Sequence, residues 1–129
     1  MSPAKITEGE LAQFFRVPVV LPCDYEGREI LAASRISNIS QHGCFVATTK
    51  PLPVGTRVEL RFQLPGLRET MRLQSIVRWS RGSPKNERPV GGRAIGMGLQ
   101  FEGLSRAQKA QIKDYIRKFI LQMRERPKN

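Results

Sequence analysis

The sequence lacks the long apolar segments that insert into membranes or direct export. Nowhere in its 129 residues is there an apolar run near the roughly 20 residues of a membrane-spanning helix. A signal-peptide core, which needs about 7–15 apolar residues, is also missing. The first residues, Met1 to Lys5, show no lipidation pattern. We therefore expect a cytoplasmic protein with no membrane span.

Residues that build metal and catalytic centres are scarce. The chain has one histidine, His42, and two cysteines, Cys23 and Cys44, which are distant in sequence and form no CxxC pair. A zinc site would require the fold to gather all three, whereas small buried thiols in a reducing compartment require nothing further. P-loop, HExxH and Ser/His/Asp patterns are missing too. We expect a protein that is not an enzyme and holds no metal or cofactor.

Acidic residues are few, and the resulting charge is the most unusual bulk property of the chain. Eleven Asp and Glu residues stand against 22 Lys and Arg residues, which leaves a formal charge of +11. Such a field favours an anionic partner: a nucleotide, a nucleic acid, an acidic protein or a membrane surface. Charge alone does not select among them.

Alternation of apolar and polar residues predicts six β-strands. The alternating segments are residues 17–25, 28–38, 44–48, 57–64, 71–79 and 95–101. Pro18 and Pro22 mark the first of them as an edge or bulged strand. Trp79 continues the apolar face of the fifth strand, so we expect it in the core. Gly96 and Gly98 fall on the polar face of the sixth strand, where they let a neighbouring group pack closely.

After the sixth strand the apolar period changes to that of a helix. Apolar residues from Ile112 to Met123 fall on one helical face. Ser105 is the predicted N-cap, and Pro127 is a stop signal. The pattern predicts a mainly β fold: a six-stranded antiparallel barrel with a C-terminal amphipathic α-helix. We divide the chain into a flexible lead-in at 1–15, the barrel at 16–103 and a helix at 104–126, packed on or beside the barrel.

The loop between the second and third predicted strands carries a family resemblance. Asn38-Ile39-Ser40-Gln41-His42-Gly43 resembles the (Asp/Asn)-x-Ser-x-x-Gly motif of PilZ domains, bacterial modules best known as receptors for cyclic di-GMP. Further matches follow in the family's order, so that the resemblance runs from about Phe14 to Phe101: Phe15 to Val19 before the motif, then Pro53-x-Gly55, Val77-Arg78-Trp79 and Gly96-x-Gly98-x-x-Phe101. It implies the same six-stranded barrel.

The resemblance also implies which residues contact the ligand. They are Arg16, Asn38, Ser40 and Gly43: an arginine binds phosphate and stacks on guanine, Asn bonds a guanine edge, Ser adds a hydroxyl, and Gly permits close approach. The chain departs from the family at Ala12, where the first arginine of the Arg-x-x-x-Arg motif belongs. Losing such a contact costs about 1.5–3 kcal/mol, which predicts weakened or absent cyclic di-GMP binding unless a neighbouring basic residue fills the gap.

The same loop has a purely structural alternative. Asn38 and Ser40 could cap loop amides, and Gly43 could adopt a positive φ, so that the motif would be a turn without a ligand. The residues alone leave both possibilities open.

The C-terminal helix is strongly basic. Four of its side chains lie on one stripe beside the apolar arc: Arg106, Lys113, Arg117 and Arg124. This stripe could dock an acidic protein, a nucleic acid or a membrane surface, or it could be a solvated outer face. If the helix left the barrel, its apolar face could pair with a second copy.

The sequence supports three candidate functions. The first is a PilZ-like signalling adaptor that binds cyclic di-GMP and relays it through a protein partner, with residues 1–16 ordering against the barrel on binding. The second is a nucleotide-independent interaction module of the same fold. The third is a charge-driven nucleic-acid-binding protein, whose affinity would fall steeply with salt.

Overall fold

The computed structural model describes residues 16–27, 30–82 and 95–125. The strands are β1 (Val17–Gly27), β2 (Ile30–Ile39), β3 (Gly43–Ala47), β4 (Arg57–Phe62), β5 (Met71–Arg81) and β6 (Gly96–Glu102), and the helix is α1 (Arg106–Glu125). Outside the described residues lie the predicted lead-in at 1–15, with Ala12, and the stop signal Pro127. In the described part, no helix is long and apolar enough to cross a membrane.

The six strands close into one barrel in the order β1-β2-β3-β6-β5-β4. Every neighbouring pair is antiparallel, including the closing pair of β1 and β4. The predicted fold class, a mainly β antiparallel barrel with a C-terminal helix, is therefore confirmed. Because the strands alternate in direction, the β2–β3 turn, the β4–β5 turn and the end of β6 lie at one end of the barrel.

The interior is filled by apolar side chains from all six strands, as their alternation predicted. Tyr25 and Leu60 are among the largest side chains with no exposed surface. Three isoleucines on one face of α1 join the same cluster: Ile112, Ile116 and Ile120. Their four-residue spacing puts them on one side of a helix, so α1 packs its apolar face on the barrel.

Capping interactions fix the start of α1 at the barrel end. The Ser105 hydroxyl accepts a hydrogen bond from the Gln108 amide at 3.1 Å, and the Gln108 side chain accepts one from the Ser105 amide at 3.0 Å. This reciprocal pair is a capping box and confirms Ser105 as the N-cap. Gln108 also donates to the carbonyl of Arg72 at the start of β5, which ties the first helical turn to the barrel.

Three register shifts interrupt the strand pairing. One lies between Pro18 and Leu21 of β1, where the prolines predicted a bulge. The others lie between Ile36 and Asn38 of β2 and between Val77 and Trp79 of β5. A bulge inserts one extra residue into a strand and so reverses the side to which the following side chains point.

The bulge in β5 overturns the prediction for Trp79. Simple alternation from Val77 would have placed the indole in the core, but Trp79 is 37% exposed. Val77 pairs with Leu99 while Trp79 pairs with the adjacent Gly98, so two residue steps along β5 match one along β6. Arg78 is the extra residue, and Trp79 is turned to the outer face.

Both cysteines are reduced and buried inside the barrel. Burial, with a smaller contribution from the Asp24 carboxylate, raises the pKa of the Cys23 thiol to about 12. Burial and the nearby Cys23 thiol raise the pKa of Cys44 well above its ordinary range. The folded protein therefore keeps two protons that the unfolded chain releases near pH 8.5–9.

We predict that the free energy of unfolding falls as the pH rises above about 8.5. Each thiol contributes a slope of about 1.4 kcal/mol per pH unit, because the unfolded state then binds fewer protons than the folded one. Urea denaturation at pH 7, 8.5 and 10 measures the effect. The double variant Cys23→Ala/Cys44→Ala is the control, since it retains every other titrating group. Equal slopes in the two proteins would show that the thiols ionise normally in the fold.

Candidate functional site

One lateral row of paired residues crosses five of the six strands. Pro18 of β1 pairs with Asn38, Asn38 with Phe45, Phe45 with Gly98, and Gly98 with Trp79. Bulges in β1, β2 and β5 adjoin this row, so the barrel is irregular where it presents these residues. Bulges of this kind re-aim side chains and are common next to functional sites.

An aromatic stack lies on the outer face of this row. The Trp79 and Phe45 rings are 5.2 Å apart between centroids and 9° from parallel. Phe45 is only 5% exposed although it is not part of the interior cluster. A Cβ added at Gly98, on the intervening strand, would overlap the indole Nε1 of Trp79. The glycine therefore lets the indole lie across β6, the close-packing role that the sequence predicted for it.

Cationic groups border the exposed indole. The guanidinium carbon of Arg81 lies 5.0 Å from the Trp79 ring centroid, within the range of a cation–π interaction. Arg78, the bulged residue, donates from Nε to the Gln100 side-chain oxygen at 2.6 Å. This bond restricts the orientation of the Arg78 guanidinium on the outer face.

Arg16 and Asn38, two of the predicted ligand residues, are brought together. Arg16 donates from its guanidinium to the Asn38 side-chain oxygen at 2.7 Å, although 22 positions separate them. Arg16 precedes β1 and is exposed, while Asn38 is half-buried on the bulged part of β2. Their contact places a guanidinium and an amide side by side at one edge of the row.

Ser40 and Gly43, the other two predicted ligand residues, build the turn itself. Ser40 is 6% exposed, and its hydroxyl accepts bonds from the amides of His42 and Gly43 at 3.2 and 3.3 Å. This satisfies loop amides as the structural alternative expected. That alternative also predicted a positive φ at Gly43. This prediction is wrong, because the described glycines with a positive φ are Gly55, Gly66 and Gly103. A Cβ at Gly43 would instead overlap the Leu99 carbonyl, so glycine permits the close approach of β3 and β6.

A shallow cavity of about 230 Å³ joins these features. Arg16 and Arg78 both line it, together with Trp79 and His42. The cavity thus combines two guanidiniums with an aromatic surface. Within the described ranges, neither arginine takes part in an ion pair, so both charges are available to an anion.

The structure describes the side chains of three of the four residues in the basic stripe of α1. Arg106 and Lys113 are exposed, and Arg117 is exposed but contacts Asp114 at 3.4 Å. The side chain of Arg124 lies outside the described residues. A hydrogen bond from Lys118 and the charges of Lys118 and Arg117 hold the pKa of the Asp114 carboxyl below its usual range. A partner-binding role for Arg106, Lys113, Arg117 and Arg124 stays a prediction.

Sequence reasoning missed three members of the cavity and its border. The sequence marks Arg78 only as part of the Val77-Arg78-Trp79 match, it points to no role for Gln100, and it predicts Trp79 in the core. The one local signal was Gly98, which marks a close approach but does not say which side chain makes it. The bulge that turns Trp79 outward arises in the pairing of β5 with β6. The alternation of apolar and polar residues along β5 therefore does not reveal it.

Comparison with known proteins identifies the class of the fold and then its family. The sequence model of the PilZ domain matches residues 10–118, which include the barrel and more than half of α1. The chain is a PilZ barrel and belongs to the PilZ domain family. Members of this family are generally non-catalytic binding and adaptor domains for cyclic di-GMP. No curated protein matches the sequence.

Solved structures show the same fold at low identity. The inhibitor of motility MotI/DgrA of Bacillus subtilis superposes with a TM-score of 0.65 at 22% identity, over 87% of this chain and 51% of the other. The PilZ domain of CeSA from a cellulose-synthesizing bacterium superposes with a TM-score of 0.54 at 16% identity, over 86% and 99%. A tetrameric PilZ protein of Xanthomonas campestris gives 0.50 at 22%, over 74% and 49%. The chain thus spans about half the length of the Bacillus protein.

We predict that Gly98→Ala displaces the indole of Trp79. The added methyl group would overlap the ring, so the stack on Phe45 opens at a cost of about 0.5–1.5 kcal/mol. Trp79 is the only tryptophan, so its emission should shift to longer wavelength and become more sensitive to acrylamide quenching.

Gly55→Ala is the matched control for this measurement. Gly55 has a φ of 90° and open space around its Cβ position. The variant should therefore lose stability through backbone strain without a change in tryptophan emission. Unchanged emission in Gly98→Ala would contradict the placement of the indole over β6.

Proposed function

We propose that this domain is a cytoplasmic signalling adaptor that binds cyclic di-GMP at the outer face of the bulged row. The observation that carries the proposal is the cavity lined by Arg16, Arg78 and the exposed indole of Trp79. Cyclic di-GMP carries two phosphates and two guanines. Guanidiniums bind phosphate oxygens in a planar fork, and an aromatic ring offers a surface on which a base stacks.

Arg78 supports binding in spite of Ala12. The family's first motif arginine is missing from this chain, but Arg78 brings a second guanidinium to the cavity that Arg16 lines. Its bond to Gln100 already limits its orientation, so less side-chain entropy is lost when it binds a phosphate. We propose that Arg78 compensates in part for the missing arginine.

The roles of the four motif residues differ in this proposal. Arg16 and Asn38 contact the ligand directly, because their polar groups lie at the surface beside the row. Ser40 and Gly43 act by shaping the turn, since the Ser40 hydroxyl bonds loop amides and Gly43 packs against β6. Substitution of Ser40 or Gly43 would thus impair binding together with stability.

The geometry also favours a route from ligand to partner. The Asn38–Gly43 turn and the start of α1 lie at the same end of the barrel, and His42 of the turn lines a cavity together with Lys109 and Lys113 of α1. A ligand that moves this turn would change the surface next to the basic helix. We propose that this surface contacts a protein partner.

We predict that cyclic di-GMP binds the natural domain and that Arg16→Ala weakens binding by roughly 10- to 150-fold. This range corresponds to the loss of one charge-assisted contact of about 1.5–3 kcal/mol. Arg78→Ala should cause a loss of similar size, and Ala12→Arg should strengthen binding. Isothermal titration calorimetry at one fixed salt concentration measures all four proteins.

Arg57→Ala is the matched control for the two arginine variants. Arg57 is exposed on β4, the one strand that the row does not include, so its removal tests the loss of charge alone. An equal effect of Arg57→Ala would mean that the affinity reports only net charge. No binding by the natural domain or by Ala12→Arg would favour the nucleotide-independent interaction module.

We also predict that cyclic di-GMP quenches the fluorescence of Trp79. A guanine stacked on the exposed indole shields it and changes its emission. The measurement is a fluorescence titration corrected for absorption by the ligand, with free GMP at equal base concentration as the control. Calorimetric binding without any change in emission would place the bases away from Trp79.

A further inference from the structure

A second, larger cavity lies between the β2–β3 turn and α1. Its volume is about 570 Å³, which falls within the range of roughly 300–1,000 Å³ typical of small-molecule sites. Phe101 and Leu104 give it an apolar lining, and Lys109 and Lys113 border it from the helix. His42 and Gln100 line both this cavity and the smaller one beside Trp79.

The charged side chains among the residues that line this cavity all have one sign. Lys109 and Lys113 are four residues apart and therefore lie on the same face of α1, where like charges repel. Neither lysine forms an ion pair in the part of the chain that the structure describes. The first turn of α1 has no acidic residue, so the positive end of the helix dipole is not compensated either.

A buried hydrogen-bond donor at the cavity also lacks a partner. Gln41 lines the cavity, and its Nε2 atom is buried with no hydrogen-bond partner. Buried polar groups are normally satisfied, because an unpaired donor keeps its full desolvation cost. This atom has no surface open to the cavity, so an anion placed there would act on the two lysines and reduce the repulsion between them.

We propose that this cavity is a second ligand site, which binds a small organic anion. The ligand has a phosphate or carboxylate head, bound by Lys109 and Lys113, and an apolar or aromatic body placed against Phe101 and Leu104. The site is separate from the cyclic di-GMP face, although the two share His42 and Gln100. It goes beyond the proposed function and does not require it.

The test uses phenyl phosphate and benzoate as probes of the two head groups, with phenol as the uncharged probe of the same ring. Amide shifts in two-dimensional NMR of the ¹⁵N-labelled full chain measure binding. We expect at least one anion to bind at roughly millimolar concentration, as fragments of this size do, and to shift residues 41–42, 101–104 and 109–113. Equal shifts with phenol, or shifts spread over the basic surface, would overturn the proposal.

Charge removal at the cavity gives the decisive comparison. Lys109→Gln/Lys113→Gln should weaken anion binding at least about tenfold, and glutamine retains a good helix propensity. Arg106→Gln/Arg117→Gln removes the same charge from exposed positions of the same helix that do not line the cavity, and should have little effect. Equal losses in the two double variants would show that only the net charge of the helix matters.

Two further measurements separate this inference from the proposed function. Arg16→Ala should leave binding of the anion unchanged while it weakens binding of cyclic di-GMP. If the natural domain does not bind cyclic di-GMP but binds the anion at the cavity, the second site stands and the proposed function fails. Displacement of the anion by cyclic di-GMP with the stoichiometry of a single site would overturn the separate site.

Discussion

The stack of Trp79 on Phe45 across Gly98 is the contact on which the outer face of this barrel depends. It requires a bulge that turns the indole outward, a glycine on the strand between the rings, and a phenylalanine two strands away in the same row. Each requirement involves a different strand. The contact therefore fixes the register of β3, β6 and β5 relative to one another, and it holds a large aromatic surface in one orientation.

The irregularities of the barrel coincide with its candidate binding residues. In β2 the register shift lies between Ile36, which points into the core, and Asn38, which contacts Arg16. In β5 the shift separates buried Val77 from exposed Trp79. In an uninterrupted strand, residues two positions apart point to the same face. Without these bulges, Asn38 and Trp79 would therefore point into the core, as Ile36 and Val77 do.

Cations line both cavities that adjoin the β2–β3 turn. Arg16 and Arg78 line the smaller cavity, Lys109 and Lys113 the larger, and the β2–β3 turn contributes His42 to both. None of these four cations forms an ion pair within the described residues. Where carboxylates are present, as at Asp114, cations of α1 pair with them instead. The cations that line the two cavities thus keep their charge available to anionic ligands.

The sequence by itself determined the strands, the helix and the chemistry of the β2–β3 turn. Alternation and helical spacing follow directly from local backbone geometry, and capping by Ser105 and Ser40 involves near neighbours in the chain. Only the tertiary structure decided that Trp79 faces outward, that Arg78 joins Arg16 and that Lys113 borders a cavity. Such relations depend on strand register and on how α1 packs across the barrel end, which join residues distant in sequence and leave no local pattern.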